Sequence, residues 1–182
     1  GSLLGRLGKE FAEYSLSGFE FASGIPGTLG GAVMMNAGAY GGEMKHILYN
    51  ALALTKDGEF RVVPADRMEL GYRSSVFAKN GDIVLSAQLK LQPGDPEKIR
   101  AYMEELKEKR VTKQPLEYPS AGSTFKRPEG YFAGKLIEDT GLRGFRVGGA
   151  QVSEKHCGFV INRENATAAD IVSLMEQVAD RV

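Results

Sequence analysis

The chain has 182 residues, 42% hydrophobic and 25% charged, with 23 Lys and Arg against 23 Asp and Glu and a single cysteine. This is the composition of an ordinary globular chain long enough to bury a core, which excludes a disordered tail and an internal disulfide framework. The zero net charge argues against a nucleic-acid partner, no apolar run is long enough to span a bilayer, and lone Cys157 suits a reducing, cytoplasmic setting. No charged-then-apolar leader opens the sequence. Glycine is the one departure, 23 of 182 residues or about 13%, where ~7% is usual.

Leu3, Leu4, Leu7 and Phe11 fall at helical spacing, and Ser17-Gly18 is the expected stop. A glycine-dense, almost charge-free stretch occupies residues 23–42. Residues 47–55 and 59–63 read as strands joined by an Asp57-Gly58 hairpin turn, and residues 83–91 as a third strand rich in Val84, Leu89 and Leu91. Pro93-Gly94-Asp95-Pro96 is the clearest boundary. Asp95 can cap a helix that starts at Pro96 and carries Ile99, Tyr102, Met103, Leu106 and Arg110 on one face. Residues 114–122 read as loop. A short helix around Phe132, Leu136 and Ile137 ends at Gly141. Residues 158–161 read as a buried strand. Thr167-Ala168-Ala169-Asp170 is a capping-box variant that opens a helix with Ile171, Leu174, Met175 and Val178 on its apolar face. The expectation is an α+β chain in two pieces, residues 1–92 and 96–182.

Several segments could carry chemistry. Ser23-Gly24-Ile25-Pro26-Gly27-Thr28-Leu29-Gly30-Gly31 and Asn36-Ala37-Gly38-Ala39-Tyr40-Gly41 bring backbone N–H groups close enough to hold a ligand, or form a tightly turned loop under a sheet. The stretch has no Rossmann fingerprint. Gly130-Tyr131-Phe132-Ala133-Gly134-Lys135-Leu136 is one residue short of a P-loop and lacks its Ser or Thr, so a helix start with a snorkelling lysine is the better reading. His46 and His156 offer no metal-ligand spacing beyond the half-signal Glu43/His46, so no metal is expected. Arg73, among small polar residues, is either a carboxylate clamp or a surface arginine. Arg110, Lys113, Lys126 and Arg127 are either a diphosphate grip or a solvated basic edge. Ser123 lies in a Gly-flanked turn without a base beside it, which makes it a poor nucleophile but a possible proton donor.

Taken in order, the two glycine segments, Tyr72-Arg73-Ser74-Ser75-Val76-Phe77, Arg110-Val111-Thr112-Lys113-Gln114-Pro115, Ala121-Gly122-Ser123-Thr124-Phe125-Lys126-Arg127-Pro128, Ala133-Gly134-Lys135-Leu136-Ile137-Glu138 and Gly148-Gly149-Ala150 resemble one family. It is the UDP-N-acetylenolpyruvoylglucosamine reductases, flavoenzymes of bacterial peptidoglycan precursor synthesis. The resemblance is to their shorter type, since residues 131–141 carry no long inserted loop.

The resemblance implies part of a vanillyl-alcohol-oxidase (PCMH)-type FAD-binding domain followed by an α/β substrate-binding domain. It implies FAD as cofactor, NADPH as hydride donor, UDP-N-acetylglucosamine enolpyruvate as substrate, and a monomer. Gly24, Ile25, Pro26, Gly27, Thr28, Gly30, Gly31, Asn36, Ala37, Gly38, Gly41 and Val84 would then bind the cofactor. Tyr72, Arg110, Lys113, Gly122, Lys126 and Lys135 would bind the substrate. Arg73 would stabilise charge at the substrate carboxylate and Ser123 would protonate carbon. The family's first flavin loop would precede Gly1 and its catalytic glutamate would follow Val182. Another flavin oxidoreductase of this domain type, or a sugar-nucleotide-binding module without catalysis, are the alternatives.

Overall fold

A computed structural model describes all of residues 1–182. Helix α1 (Leu4–Glu13) turns Leu4, Gly8 and Ala12 inward. It stops short of the expected Ser17-Gly18, because Tyr14 ends it and Ser15 takes a left-handed φ of 56°, releasing Leu16–Ser17 as strand β1. The glycine stretch contains helix α2 (Leu29–Met34), which its glycines conceal, since glycine is a poor helix former. Thr28 caps α2 by accepting from the Gly31 N–H, and buried Ala32 and Val33 hold it on the core. Strands β2 (Gly38–Ala39) and β3 (Gly42–Glu43) follow as a tight hairpin.

Next come β4 (Leu48–Leu54), β5 (Phe60–Pro64), helix α3 (Val76–Asn80) and β6 (Ile83–Leu89). The three strands form an antiparallel sheet in the order β5-β4-β6. The Asp57-Gly58 turn is present, with Gly58 at φ 84° and the Thr55 N–H donating to the Glu59 carbonyl at 2.9 Å. Leu52 opposes Val62 and Leu54 opposes Phe60, and Leu48, Ala51 and Ala53 are the β4 residues that turn into the core. There they join Leu4, Phe19, Val33, Met44, Met68 and Phe77.

Strand β7 (Gln92–Pro93) pairs back onto β1. Helix α4 (Pro96–Lys113) starts where expected, with the Asp95 carboxylate accepting from the Glu97 N–H at 2.9 Å. Its buried stripe is narrow. Ile99 and Leu106 are inside, whereas Tyr102, expected on the same face, is 42% exposed. The chain divides into two compact units, Gly1–Glu108 and Lys109–Val182, so the division falls inside α4 and not at the Pro93-Gly94-Asp95-Pro96 turn. The first turns of the helix pack against the first unit: Met103 lies beside Gly8, and a Cβ on Gly94 would meet both Ser17 and Ile99.

The second unit contains β8 (Ser120–Ser123), α5 (Ala133–Asp139), β9 (Arg146–Val147), β10 (Ala150–Val152), β11 (Phe159–Asn162) and α6 (Ala168–Arg181). Its antiparallel sheet runs β8-β11-β10-β9. Residues expected as loop and turn thus form an edge strand, because Ser120 and Ser123 pair with Ile161 and Phe159. The capping box of α6 is reciprocal: the Asp170 N–H donates to Thr167 Oγ1 at 3.1 Å and the Thr167 N–H to Asp170 Oδ2 at 2.9 Å. Leu174 and Val178 of α6 share a core with Ile137, Leu142, Val152 and Val160. No helix is long and apolar enough to cross a membrane.

Candidate functional site

In the first unit α2 packs along β6, and a Cβ on Gly30 would stand 3.4 Å from the Val84 carbonyl oxygen, in ordinary contact. Thr28, Gly30, Gly31, Met34 and Val84 border a cavity of about 500 Å³, whose far wall is formed by Gly81 to Ala87. That volume lies within the usual range for small-molecule and cofactor sites. Four of the expected cofactor residues, Thr28, Gly30, Gly31 and Val84, therefore border one cavity, Val84 from its far wall. Gly24 and Pro26 are exposed on the approach to α2, and Ile25 packs onto the core. Gly27 is exposed too, and a Cβ there would meet nothing within 4 Å. The fold itself does not need glycine at that position, but a ligand lying against it would. The bare backbone at Gly30 and Gly31 and the open cavity it borders fit a flavin cofactor.

Asn36, Ala37, Gly38 and Gly41, also expected at the cofactor, lie outside the lining of that cavity. Asn36 is fully buried, at φ 45°. Its Nδ2 donates to Glu43 Oε2 at 2.8 Å and to the Gly71 carbonyl at 2.9 Å, and its Oδ1 accepts from the Lys45 N–H at 2.9 Å. Both donors of the amide and one lone pair of its oxygen are thus engaged inside the protein. Ala37 is likewise buried, with its N–H given to Ala32 and its carbonyl taken by Met44. Gly38 allows β2 and β3 to close, since a Cβ would come within 2.7 Å of the Gly42 carbonyl oxygen. Gly41, exposed at φ 85°, makes the hairpin turn.

Glu43, which sequence reasoning noted only as half of a metal signal, is the acceptor at the centre of this arrangement. Burial alone would raise its carboxyl pKa. Hydrogen bonds from Lys45 and Asn36, with the charges of Lys45 and His46, outweigh that and hold it below the ordinary value. Its partner in the half-signal, His46, accepts the Glu43 N–H through Nδ1 as part of a capping box.

Arg73 sits at the tip of the turn that Asn36 holds. Gly71 and Ser74 exchange both backbone hydrogen bonds, and Arg73 between them has a left-handed φ of 53°. Its Nη2 donates to the Gly38 carbonyl at 2.9 Å, and its guanidinium lies 5.2 Å from the centre of the half-exposed Tyr72 ring. The guanidinium is half-buried, and its one side-chain hydrogen bond goes to a backbone carbonyl, so no carboxylate of the chain offsets its charge.

In the second unit Ser123 is exposed at the end of edge strand β8, and Gly122 before it has a φ of 90°. The neighbouring Thr124 fixes the strand end: its N–H donates to the Gly158 carbonyl and its Oγ1 accepts from the Val160 N–H. Lys126 borders an apolar recess of about 180 Å³ between α5 and α6, with Phe125, Pro128, Leu136 and Val178. Lys113 is exposed in the last turn of α4 and Arg110 is half-buried one turn earlier. Lys135 is paired with Asp139 along α5, and that hydrogen bond raises its pKa. The ammonium expected to meet substrate is therefore already balanced by a carboxylate. Cys157 is buried, and desolvation pushes its thiol up, away from nucleophilic character.

Residues 1–63 match the FAD binding domain family, and residues 114–182 match the C-terminal domain of UDP-N-acetylenolpyruvoylglucosamine reductase. The curated UDP-N-acetylenolpyruvoylglucosamine reductases of Agathobacter rectalis and Clostridioides difficile are 60% and 57% identical to this chain over 182 residues, 100% of it. The crystal structure of the Thermus caldophilus UDP-N-acetylenolpyruvylglucosamine reductase matches with a TM-score of 0.90 and 39% identity, over 100% of this chain and 67% of that one. The chain belongs to the UDP-N-acetylenolpyruvoylglucosamine reductase family. Its fold is accordingly the α+β one expected, combining part of a PCMH-type FAD-binding domain with the C-terminal domain of the reductase family. It spans 58% and 60% of the length of the two curated reductases.

Proposed function

We propose that the protein is an FAD-dependent reductase that uses NADPH to saturate the enolpyruvyl ether of UDP-N-acetylglucosamine, giving UDP-N-acetylmuramate in the cytoplasm. The observation that carries this reading is Arg73, a half-buried cation without a carboxylate partner, held in a conformation that arginine rarely adopts. Such a group is suited to an anion brought by a ligand. The cavity beside Thr28, Gly30, Gly31 and Val84 would hold the flavin, and Gly27, next in sequence to Thr28, would meet it through bare backbone. Bound FAD supplies hydride, replenished by NADPH.

The chain's own residues do the rest. As hydride reaches the terminal vinyl carbon, electron density moves to the adjoining carbon and its carboxylate. Arg73 stabilises that charge where it develops, the point at which preorganised electrostatics contribute most. Ser123 then gives its Oγ proton to the adjoining carbon, completing the saturated lactyl ether. A hydroxyl serves as acid here because the carbon it protonates is far more basic than a carboxylate. Arg110, Lys113 and Lys126 would meet the nucleotide phosphates.

The test is stopped-flow absorbance at the flavin band, on protein expressed from its native gene. Ser123→Ala should leave flavin reduction by NADPH at its normal rate and slow reoxidation by the enolpyruvyl sugar nucleotide by roughly 10²–10⁴-fold. If both half-reactions slow equally, Ser123 is structural. If NADPH consumption does not depend on the enolpyruvyl sugar nucleotide, the proposed substrate is wrong.

A further inference from the structure

We infer that Asn36 and Ser75 are positioning residues for Arg73, anchoring both ends of the turn that carries it to the segment running from α2 to β3. The inference rests on the reading of Arg73 as the cation at the substrate carboxylate. Five residues, Gly71 to Ser75, form this turn, and both of its ends are held by buried polar side chains. At the first end the Gly71 carbonyl accepts from Asn36 Nδ2 at 2.9 Å, across 35 positions of sequence. At the other, fully buried Ser75 donates its Oγ–H to the Met34 carbonyl at the end of α2 and accepts the Ala78 N–H as the cap of α3. A third tie comes from Arg73 itself, which donates to the Gly38 carbonyl of β2.

All three ties run to residues 34–38, the segment between α2 and the β2–β3 hairpin. Two non-glycine residues in this arrangement, Asn36 and Arg73, have left-handed φ values of 45° and 53°. Such conformations persist only where the surroundings over-determine them. Here the over-determination is visible, because Asn36 is fully buried with its side chain satisfied by Glu43, Gly71 and Lys45. Neither Asn36 nor Ser75 borders the cavity at Thr28, Gly30 and Val84. Changing them displaces Arg73 without removing a cavity wall.

Asn36→Gly removes the amide, while glycine accepts the φ of 45° at no steric cost. In protein expressed from its native gene, the Gly71 and Ser74 amides should then exchange with solvent about tenfold faster or more, with β4 amides unchanged. Flavin content and flavin reduction by NADPH should stay normal, and kcat with the enolpyruvyl sugar nucleotide should fall about tenfold or more. In an Arg73→Ala background the same change should cost almost nothing further, the signature of one residue acting through another. Unchanged exchange at Gly71 and Ser74, faster exchange throughout the first unit, or full additivity with Arg73→Ala would overturn the positioning role and leave that of Arg73 intact. Normal turnover by Arg73→Ala alone would instead overturn the reading on which the inference rests. If Asn36→Gly does not fold, Ser75→Ala cuts the opposite anchor and is judged by the same outcomes.

Discussion

Two glycines show how differently the same residue type can be constrained. Gly27 is exposed and a Cβ on it would meet no atom of the chain, so Gly27→Val should leave the melting temperature within about 2 °C of the flavin-free parent, the scale of a neutral surface change. A flavin lying against the backbone there would meet the new side chain. The expected result is loss of the flavin band from purified, fully folded protein, and full flavin content would remove Gly27 from the site. Gly149 is the opposite case. It is buried, its carbonyl accepts from the Arg163 and Glu164 N–H groups, and a Cβ would stand 2.6 Å from the Ala166 backbone nitrogen. No rotamer relieves a clash with backbone. Gly149→Ala should therefore destabilise the second unit by about 1–3 kcal/mol or more, read from its denaturation midpoint.

At the scale of single elements, the β2–β3 hairpin and α6 both depend on one carboxylate, for different reasons. Glu43 accepts from Asn36 and Lys45, and its carboxyl is held below the ordinary glutamate value. A group with a lowered folded-state pKa stabilises the fold above its unfolded pKa and loses that contribution as the pH falls through the folded value. Thermal melts between neutral pH and acid should show the parent losing stability below about pH 4.3, the unfolded value, more steeply than Glu43→Gln. Parallel curves would mean that the Glu43 contacts are not worth what their geometry suggests. In α6 the capping box satisfies donors that the first turn leaves open. Thr167→Ala should cost about 1 kcal/mol, measured by chemical denaturation, because Asp170 alone cannot replace the lost acceptor at its own N–H.

At the scale of the whole molecule there are two hydrophobic cores, one per unit, with no residue in common. Leu174 is fully buried in the second, between α6 and the strands beneath it. Leu174→Ala should cost about 2–5 kcal/mol, seen as faster amide exchange across β10 and β11. Within the first unit, α2 separates two tasks. Its face toward β6 borders the cavity, and its C-terminal end anchors the turn of Arg73.

Much of this was legible in the sequence, and the physical reason is range. The Asp57-Gly58 hairpin, the Asp95 cap of α4, the apolar run of β11 and the capping box and stripe of α6 are signals that act within a few residues, so periodicity and turn chemistry determine them locally. The motifs around Arg73 and Ser123 were legible as well, through the order in which they follow one another. Two-residue strands such as β1, β2 and β9 have no period to read, and edge strand β8 owes its hydrogen bonds to residues nearly forty positions away. Helix α2 forms against glycine's own propensity because Val33 and Ala32 are buried on the core. The same limit hides the partners of Asn36: its residue type suits a cofactor contact, and its bonds to Gly71, Glu43 and Lys45 are selected by how two loops pack. Sequence alone determined which segments carry polar and glycine chemistry. Tertiary structure decided which of those groups border the cavity and which hold another part of the chain, because their partners come from segments far apart in sequence.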